Sequence, residues 1–261
     1  MRGYLLKRMR QENGQAAVET AIVTPLMVGF VLGTIQLTLM QQASLMLEYA
    51  AFNAARSGAV WNMDKDKMIA AAQISLLPTF KPTPDIGSLI KVAAEVYVKQ
   101  FILTKLGMPL VDVEVLSPKK ADFNGQKEIE FDSGDRKNTQ MTVRVVYLFE
   151  LRIPFANFLI WESYWAGQVG QDLRGTDPSV AFIDHTKLWA SRVQQGDFSK
   201  SCPYTGLNNK KMETLRVAAI AGYYYLPLVT TYTIRMQSNP FLNKPGSTKD
   251  EWAGKDKPDC S

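Results

Sequence analysis

The chain has 261 residues, 46% of them hydrophobic, which suits one core of ordinary size or one membrane anchor plus one domain. Its net charge of +5 does not indicate nucleic-acid binding, because the basic first 14 residues contribute +3 and leave only +2 for the remainder. The single histidine, His185, excludes a Cys/His metal cluster and a two-histidine zinc site.

The first 14 residues form a short basic segment, which we expect to act as a leader without a fold of its own. Thr20 to Met40 then contains no charged residue, and at 1.5 Å per helical residue it spans about 30 Å, enough to cross a bilayer. Positive charge before such a span favours a cytoplasmic amino terminus and places the later residues outside. This apolar run is about twice as long as that of a cleaved secretory signal, so we expect the helix to be retained.

The apolar run continues into sequence rich in Ala, Leu, Met, Gln and Glu, which predicts one helix from about Ala16 to about Trp61. Glu19 lies at the edge of the run, where an ionised side chain costs a few kcal/mol unless another group neutralises it. If the chain were cut after Gly14, Gln15 would become the first residue and Glu19 the fifth. The position of this carboxylate therefore indicates a function.

A short basic leader, a glycine and a glutamate five residues later resemble a type IV prepilin. Residues 16–60 resemble more narrowly the TadE-type minor pilins, or pseudopilins, of tight-adherence pilus systems. They share an AAVE-type start, an apolar stretch with proline and glycine, and an end rich in Ala, Asn and Arg, here residues 51–59. The resemblance implies cleavage between Gly14 and Gln15, and a role for Glu19 in charge neutralisation during assembly. It implies as partners a prepilin peptidase, other major and minor pilins, the inner-membrane assembly platform and the lipid bilayer.

Small residues recur at a spacing of four along the long helix, as Gly29 with Gly33 and as Ala50 with Ala54. Such ridges allow two helices to approach closely where lipid offers no hydrophobic gain. We therefore predict that these four residues form a helix-packing surface, although glycine and alanine are also common in membrane helices for other reasons.

Two shorter helices are predicted next. One runs from Lys65 to Leu77 and is closed by Pro78. The other starts after the cap residue Thr83 with Pro84 at its first position, and ends at Gly107.

The hydrophobic period then changes to two in three runs, at residues 111–115, 143–151 and 231–236. These runs predict an antiparallel sheet with one apolar face and one solvent-exposed face. An apolar face needs a helix, so the predicted class is α+β and pilin-like. In this fold the long membrane-spanning helix packs at its outer half against the sheet, with additional helices. The predicted divisions are a leader at 1–14, a membrane-spanning and assembly helix at 15–61, and an extracytoplasmic domain with a loose tail at 62–261.

Several segments of the domain are less regular. Residues 117–138 are predicted to be a solvated loop, with a short hairpin around Asn124 and Gly125. The apolar cluster at 155–165 indicates a helix that covers the core, or alternatively a surface for a neighbouring subunit or the membrane. Residues 216–229 are apolar but too short for a second span, and Pro227 is predicted to end them before the last strand. Cys202 and Cys260 lie in the part assigned outside, where they form one disulfide or remain two unrelated thiols.

No catalytic or cofactor-binding motif is found: there is no Gly-x-Ser-x-Gly, no Walker loop and no Gly-x-Gly-x-x-Gly. We therefore expect no enzyme activity, no cofactor, no metal and no nucleic acid, and predict a pilus subunit that acts in assembly, adhesion or secretion. The alternative is a signal-anchored periplasmic binding domain that is neither processed nor assembled. A weaker alternative is a pseudopilin of a secretion machine. Cleavage after Gly14 separates the first two, since an uncleaved anchor keeps its basic leader.

Overall fold

A computed structural model describes residues 2–81, 84–118, 120–123, 128, 130–132, 140–172, 214–215, 218–219 and 222–241. The helices are α1 (Arg2–Val60), α2 (Lys65–Phe80), α3 (Ile86–Lys105) and α4 (Ala156–Asp172), with a 3-10 turn at Lys120–Phe123. The strands are β1 (Val111–Ser117), β2 (Gln140–Glu150) and β3 (Tyr225–Arg235). The class is α+β, as predicted.

Helix α1 has 59 residues and is therefore about 90 Å long. It already begins at Arg2, so the predicted start at about Ala16 is wrong and the leader is continuous with the helix. Leu5, Leu6 and Lys7 in this segment are strong helix formers, and nothing in the leader breaks the helix. At the other end, Asn62 and Met63 adopt left-handed backbone angles and turn the chain back into α2.

Helix α2 runs back along α1, and the Asn53 side-chain amide donates to Ser75 Oγ at 2.8 Å. It extends to Phe80 with Pro78 inside its last turn, three residues beyond the predicted end. Helix α3 begins after Asp85, so the cap predicted at Thr83 is also wrong. Aspartate caps a helix as well as threonine does, and the Asp85 N–H donates to Ser88 Oγ at 3.1 Å.

Helix α3 ends at Lys105, two residues before the predicted end at Gly107, which turns the chain away from the helix with a φ of +78°. Glycine is the residue that adopts this left-handed angle without a steric penalty.

The three strands form an antiparallel sheet in the order β1-β2-β3. Val145 of β2 pairs with Val113 of β1 and with Thr230 of β3. Strand β3 starts at Tyr225 and includes Pro227 opposite Leu148, so the prediction that Pro227 precedes the last strand is wrong. The physical reason is that β3 lies at the edge of the sheet that the described residues form, and an edge strand tolerates a residue without an N–H.

The core lies between the sheet and the outer half of α1, with α2 completing the helical layer. It consists of small residues from α1 and branched residues from the sheet, including Ala43, Leu47, Ala54, Val113, Val143 and Val145. The packing of the sheet on the outer half of α1 is therefore confirmed. One detail differs, because Val146 and Leu148 on the opposite face of β2 are buried as well. The face that was predicted to be solvent-exposed is therefore covered over this part of the sheet.

Helix α4 covers the core with Trp161, which is 2% exposed and stacks edge to face against Tyr224 at a ring separation of 5.7 Å. The prediction of a core-covering helix in this segment is confirmed. The hairpin predicted at Asn124 and Gly125, together with Cys202 and Cys260, lies outside the described residues, as do His185 and most of the predicted loose tail.

Candidate membrane and assembly helix

The inner half of α1 stands clear of the domain. From Ala16 to Ile35 none of its residues is buried by the described part of the chain. Large apolar side chains are 60–71% exposed there, namely Val18, Ile22, Leu26, Met27 and Phe30. A continuous apolar surface of this kind is not found on water-exposed helices and needs lipid or other helices around it. One helix of the described chain, Ala16–Val60, is long and apolar enough to cross a membrane.

The covered half of α1 begins at Gln36, which is 0% exposed although it lies within the charge-free run. Its Oε1 accepts the Ile153 backbone N–H at 2.9 Å, so the turn before α4 covers it. A cavity of about 380 Å³ opens beside it, between α1, the end of α2 and the end of β2. A glutamine alone in an apolar run was the sequence signal for this contact, and sequence reasoning missed it.

Gly14 and Glu19 both lie in the exposed half of α1. Five residues of helix place them about 7.5 Å apart along the axis. No described atom outside the backbone of its own helix lies within 4 Å of where a Cβ would stand at Gly14, so no other described element covers this residue. The described chain thus leaves the predicted cleavage site accessible.

The four predicted packing residues divide into two kinds. Side chains added at Gly29 or Gly33 would meet nothing within 4 Å, so the surface around both is open. Ala50 and Ala54 are completely buried in the core of their own chain and have no surface left for another molecule.

Gly58 is a close-packing residue that sequence reasoning did not single out. A Cβ at this position would lie 2.5 Å from Met68 Sδ and 2.8 Å from Met141 Cε. Met68 is on α2 and Met141 is on β2, so this glycine lies where both elements meet α1. Only a residue without a side chain fits the space as it stands.

Several charges of the domain form ion pairs that are partly buried. Arg144 Nε donates to Glu114 Oε2 at 3.0 Å across two strands, and Lys99 Nζ lies 2.5 Å from Glu150 Oε2. Among the described residues no three His, Cys, Asp or Glu side chains come together as a metal site would require.

Burial raises the pKa of Tyr147 to about 12, an effect that the hydrogen bond between its hydroxyl and Thr79 Oγ at 3.2 Å partly opposes. This neutral phenol belongs to the core rather than to a site.

An exposed apolar helix whose outer half carries a small α+β domain fits a pilin-like architecture and a single-pass membrane anchor. The family model described as TadE-like protein matches residues 14–56 of this chain. The resemblance to TadE-type pilins is thereby confirmed for this segment, which starts at the predicted cleavage residue and ends in the covered half of α1. Residues 14–56 are thus similar to TadE-like proteins, a structural rather than an enzymatic kind of protein that is associated with tight-adherence pili. Neither the curated proteins nor the solved structures gave a match.

Proposed function

We propose that the protein is a minor pilin of a tight-adherence pilus. In this proposal it is inserted in the inner membrane with a cytoplasmic amino terminus, cut after Gly14 by a prepilin peptidase, and incorporated at the assembly platform. Residues 1–14 are the leader, 15–61 the membrane and assembly helix, and 62–261 the extracytoplasmic domain. The observation that carries the proposal is the exposed apolar half of α1, residues 16–35, joined to a helix half that the domain already covers.

Glu19 takes its role from the charge that cleavage creates. Removing the leader removes a charge of +3 and exposes an α-amine at Gln15, whose reference pKa of about 8 keeps it largely cationic at neutral pH. Glu19 lies one helical turn away, close enough to neutralise that amine in its own chain or in a neighbouring subunit. Such pairing matters because each charge alone is costly in hydrocarbon. If the amine of Gln15 is lost by cyclisation, Glu19 requires another donor.

The Gly29/Gly33 surface supplies the contact with other pilins. These glycines lie one turn apart in the exposed half of α1, with open space around both. A neighbouring helix can approach this groove closely, and van der Waals contact then stabilises the pair in lipid. Ala50 and Ala54 have no part in this contact, because the domain of their own chain buries them.

The proposal is tested by replacing the two residues that define processing and assembly. Gly14→Leu should leave a full-length membrane-bound precursor, whereas Glu19→Ala should be cut normally and fail to enter pili. The matched control is Glu48→Ala, an exposed glutamate on the same helix 29 residues further out, which should be cut and assembled like wild type. Immunoblots of membrane and sheared pilus fractions measure both steps. Assembly of Glu19→Ala at the wild-type level would contradict the proposed role.

A further inference from the structure

Three large apolar side chains at the start of α4 are exposed, although the other side of the same helix is buried. Phe155 is 75% exposed, Phe158 50% and Leu159 60%, and we call these three residues the α4 patch. On the opposite side Ala156 and Trp161 lie in the core. The start of this helix is thus apolar on two sides, and the described part of the domain covers only one of them.

The α4 patch lies beside the end of the apolar run of α1. The hydrogen bond from Ile153 N–H to Gln36 Oε1 ties the turn before α4 to Gln36. Gln36 precedes Met40, the last residue of the apolar stretch predicted to span the bilayer, by four positions, or about 6 Å along the helix. The patch therefore lies at the level where α1 leaves the hydrocarbon, if α1 is the anchor.

The backbone presents Phe155 outward. Its φ is +66°, an angle that is a genuine outlier for a bulky residue. The Asn157 N–H donates to Ile153 O at 2.9 Å, which closes the turn around Phe155. Such an outlier indicates that exposure of this ring is maintained at a cost in folding.

Polar groups next to the turn suit a membrane surface. Arg152 is exposed immediately before it, and its Nη1 donates to Phe80 O at 2.6 Å. Lys81, at the same end of the domain, reaches Glu95 at 2.6 Å. Long basic side chains keep their charged ends among lipid headgroups while neighbouring apolar side chains enter the acyl region.

We propose that the α4 patch inserts into the outer leaflet of the bilayer that α1 spans, so that the domain rests on the membrane surface. The inference rests on the proposed function only in that α1 is the membrane anchor. Lipid is the occupant because it is present at this level around every membrane-inserted copy. The contact fixes the domain relative to the bilayer before assembly and must break when the subunit is drawn into a fibre.

Spin labels in the full chain test the proposal. A background with Cys202→Ser and Cys260→Ser receives a single cysteine as Leu159→Cys or, in a second variant, Phe155→Cys. Each labelled chain is reconstituted at one copy per nanodisc of phosphatidylethanolamine and phosphatidylglycerol. For each spin label, the collision rate with oxygen, which concentrates in lipid, is divided by the collision rate with a water-soluble nickel chelate.

Two matched labels calibrate the result. Leu26→Cys lies in the exposed half of α1 and reports lipid. Ile74→Cys is 67% exposed on α2 beside Asn53, about 25 Å further out along α1 than Gln36, and reports water. We expect the labels at 155 and 159 to show an oxygen-to-nickel ratio several-fold above that at 74 and below that at 26, because Leu26 lies about 15 Å deeper along α1 than Gln36.

Three results would contradict either this inference or the proposed function. A ratio at 155 and 159 equal to that at 74 would place the α4 patch in water, and protection from both reagents would mean that protein covers it; either contradicts the inference. A water-like ratio at 26 would instead contradict the membrane anchor and with it the proposed function.

Discussion

Gly58 and Gly29 lie on the same helix, and the structure predicts opposite responses to the same substitution. At Gly58 the first added carbon would be 2.5 Å from Met68 Sδ, whereas ordinary carbon contacts are about 3.5–4.0 Å. Met68 and Met141 are both completely buried, so neither can move into solvent. Overpacking of this kind costs up to about 3 kcal/mol, and the better helix propensity of leucine returns about 1 kcal/mol. Gly58→Leu should therefore lower the free energy of unfolding of the domain by about 2 kcal/mol.

Urea titration of the detergent-solubilised chain, followed by tryptophan fluorescence, measures this loss. With an m-value of about 2 kcal/mol/M, the midpoint should fall by about 1 M. Gly29→Leu is the matched control, because no described atom outside the backbone of its own helix lies within 4 Å of its added carbon, and its midpoint should not fall below that of wild type. The packing assigned to Gly58 is wrong if both variants unfold at the wild-type midpoint or if both shift equally.

Replacing Gly29 and Gly33 together with leucine should leave insertion unchanged and should not lower the urea midpoint, but it should abolish co-purification with other pilins; retained association would mean that the glycines serve another purpose. In the folded chain the pKa of Tyr147 is raised from 10 to about 12, so as the pH rises the Tyr147 hydroxyl loses its proton first in the unfolded chain. The free energy of unfolding should therefore fall by up to about 3 kcal/mol between pH 10 and pH 12. The fall should be smaller in Tyr147→Phe, and an equal fall would contradict the burial assigned to this phenol. We predict a Cys202–Cys260 disulfide in protein from its native envelope, which non-reducing mass mapping checks; two free thiols would disprove it.

Periodicity was sufficient for most of the fold, because burial on one face leaves a repeat in the sequence. The alternating valines around Val113 and Val145 identified two strands, and the helical spacing of apolar residues identified α2 and α3. Pro227 could not be placed in this way. Proline is tolerated in an edge strand and excluded from a central one, and strand order depends on contacts between distant segments.

The small residues of α1 show the same limit for the candidate site. Gly29 with Gly33 and Ala50 with Ala54 have identical spacing, yet one pair is open and the other is buried by its own chain. What distinguishes them is where the domain begins to cover α1, which is set by the contact of Gln36 with a turn more than 100 residues later. Local sequence identifies surfaces that permit close packing, whereas tertiary structure decides which partner fills them.

The first residue of the protein extracted from its native membrane tests the central proposal most directly. Terminal sequencing or intact mass should show a chain that begins at Gln15, with or without loss of ammonia from a cyclised glutamine. The measured mass should be lower by that of residues 1–14. The mature chain then also lacks the charge of +3 that these residues carry. A native protein that begins at Met1 or Arg2 would contradict processing, and the chain would then be an anchored domain rather than a pilus subunit.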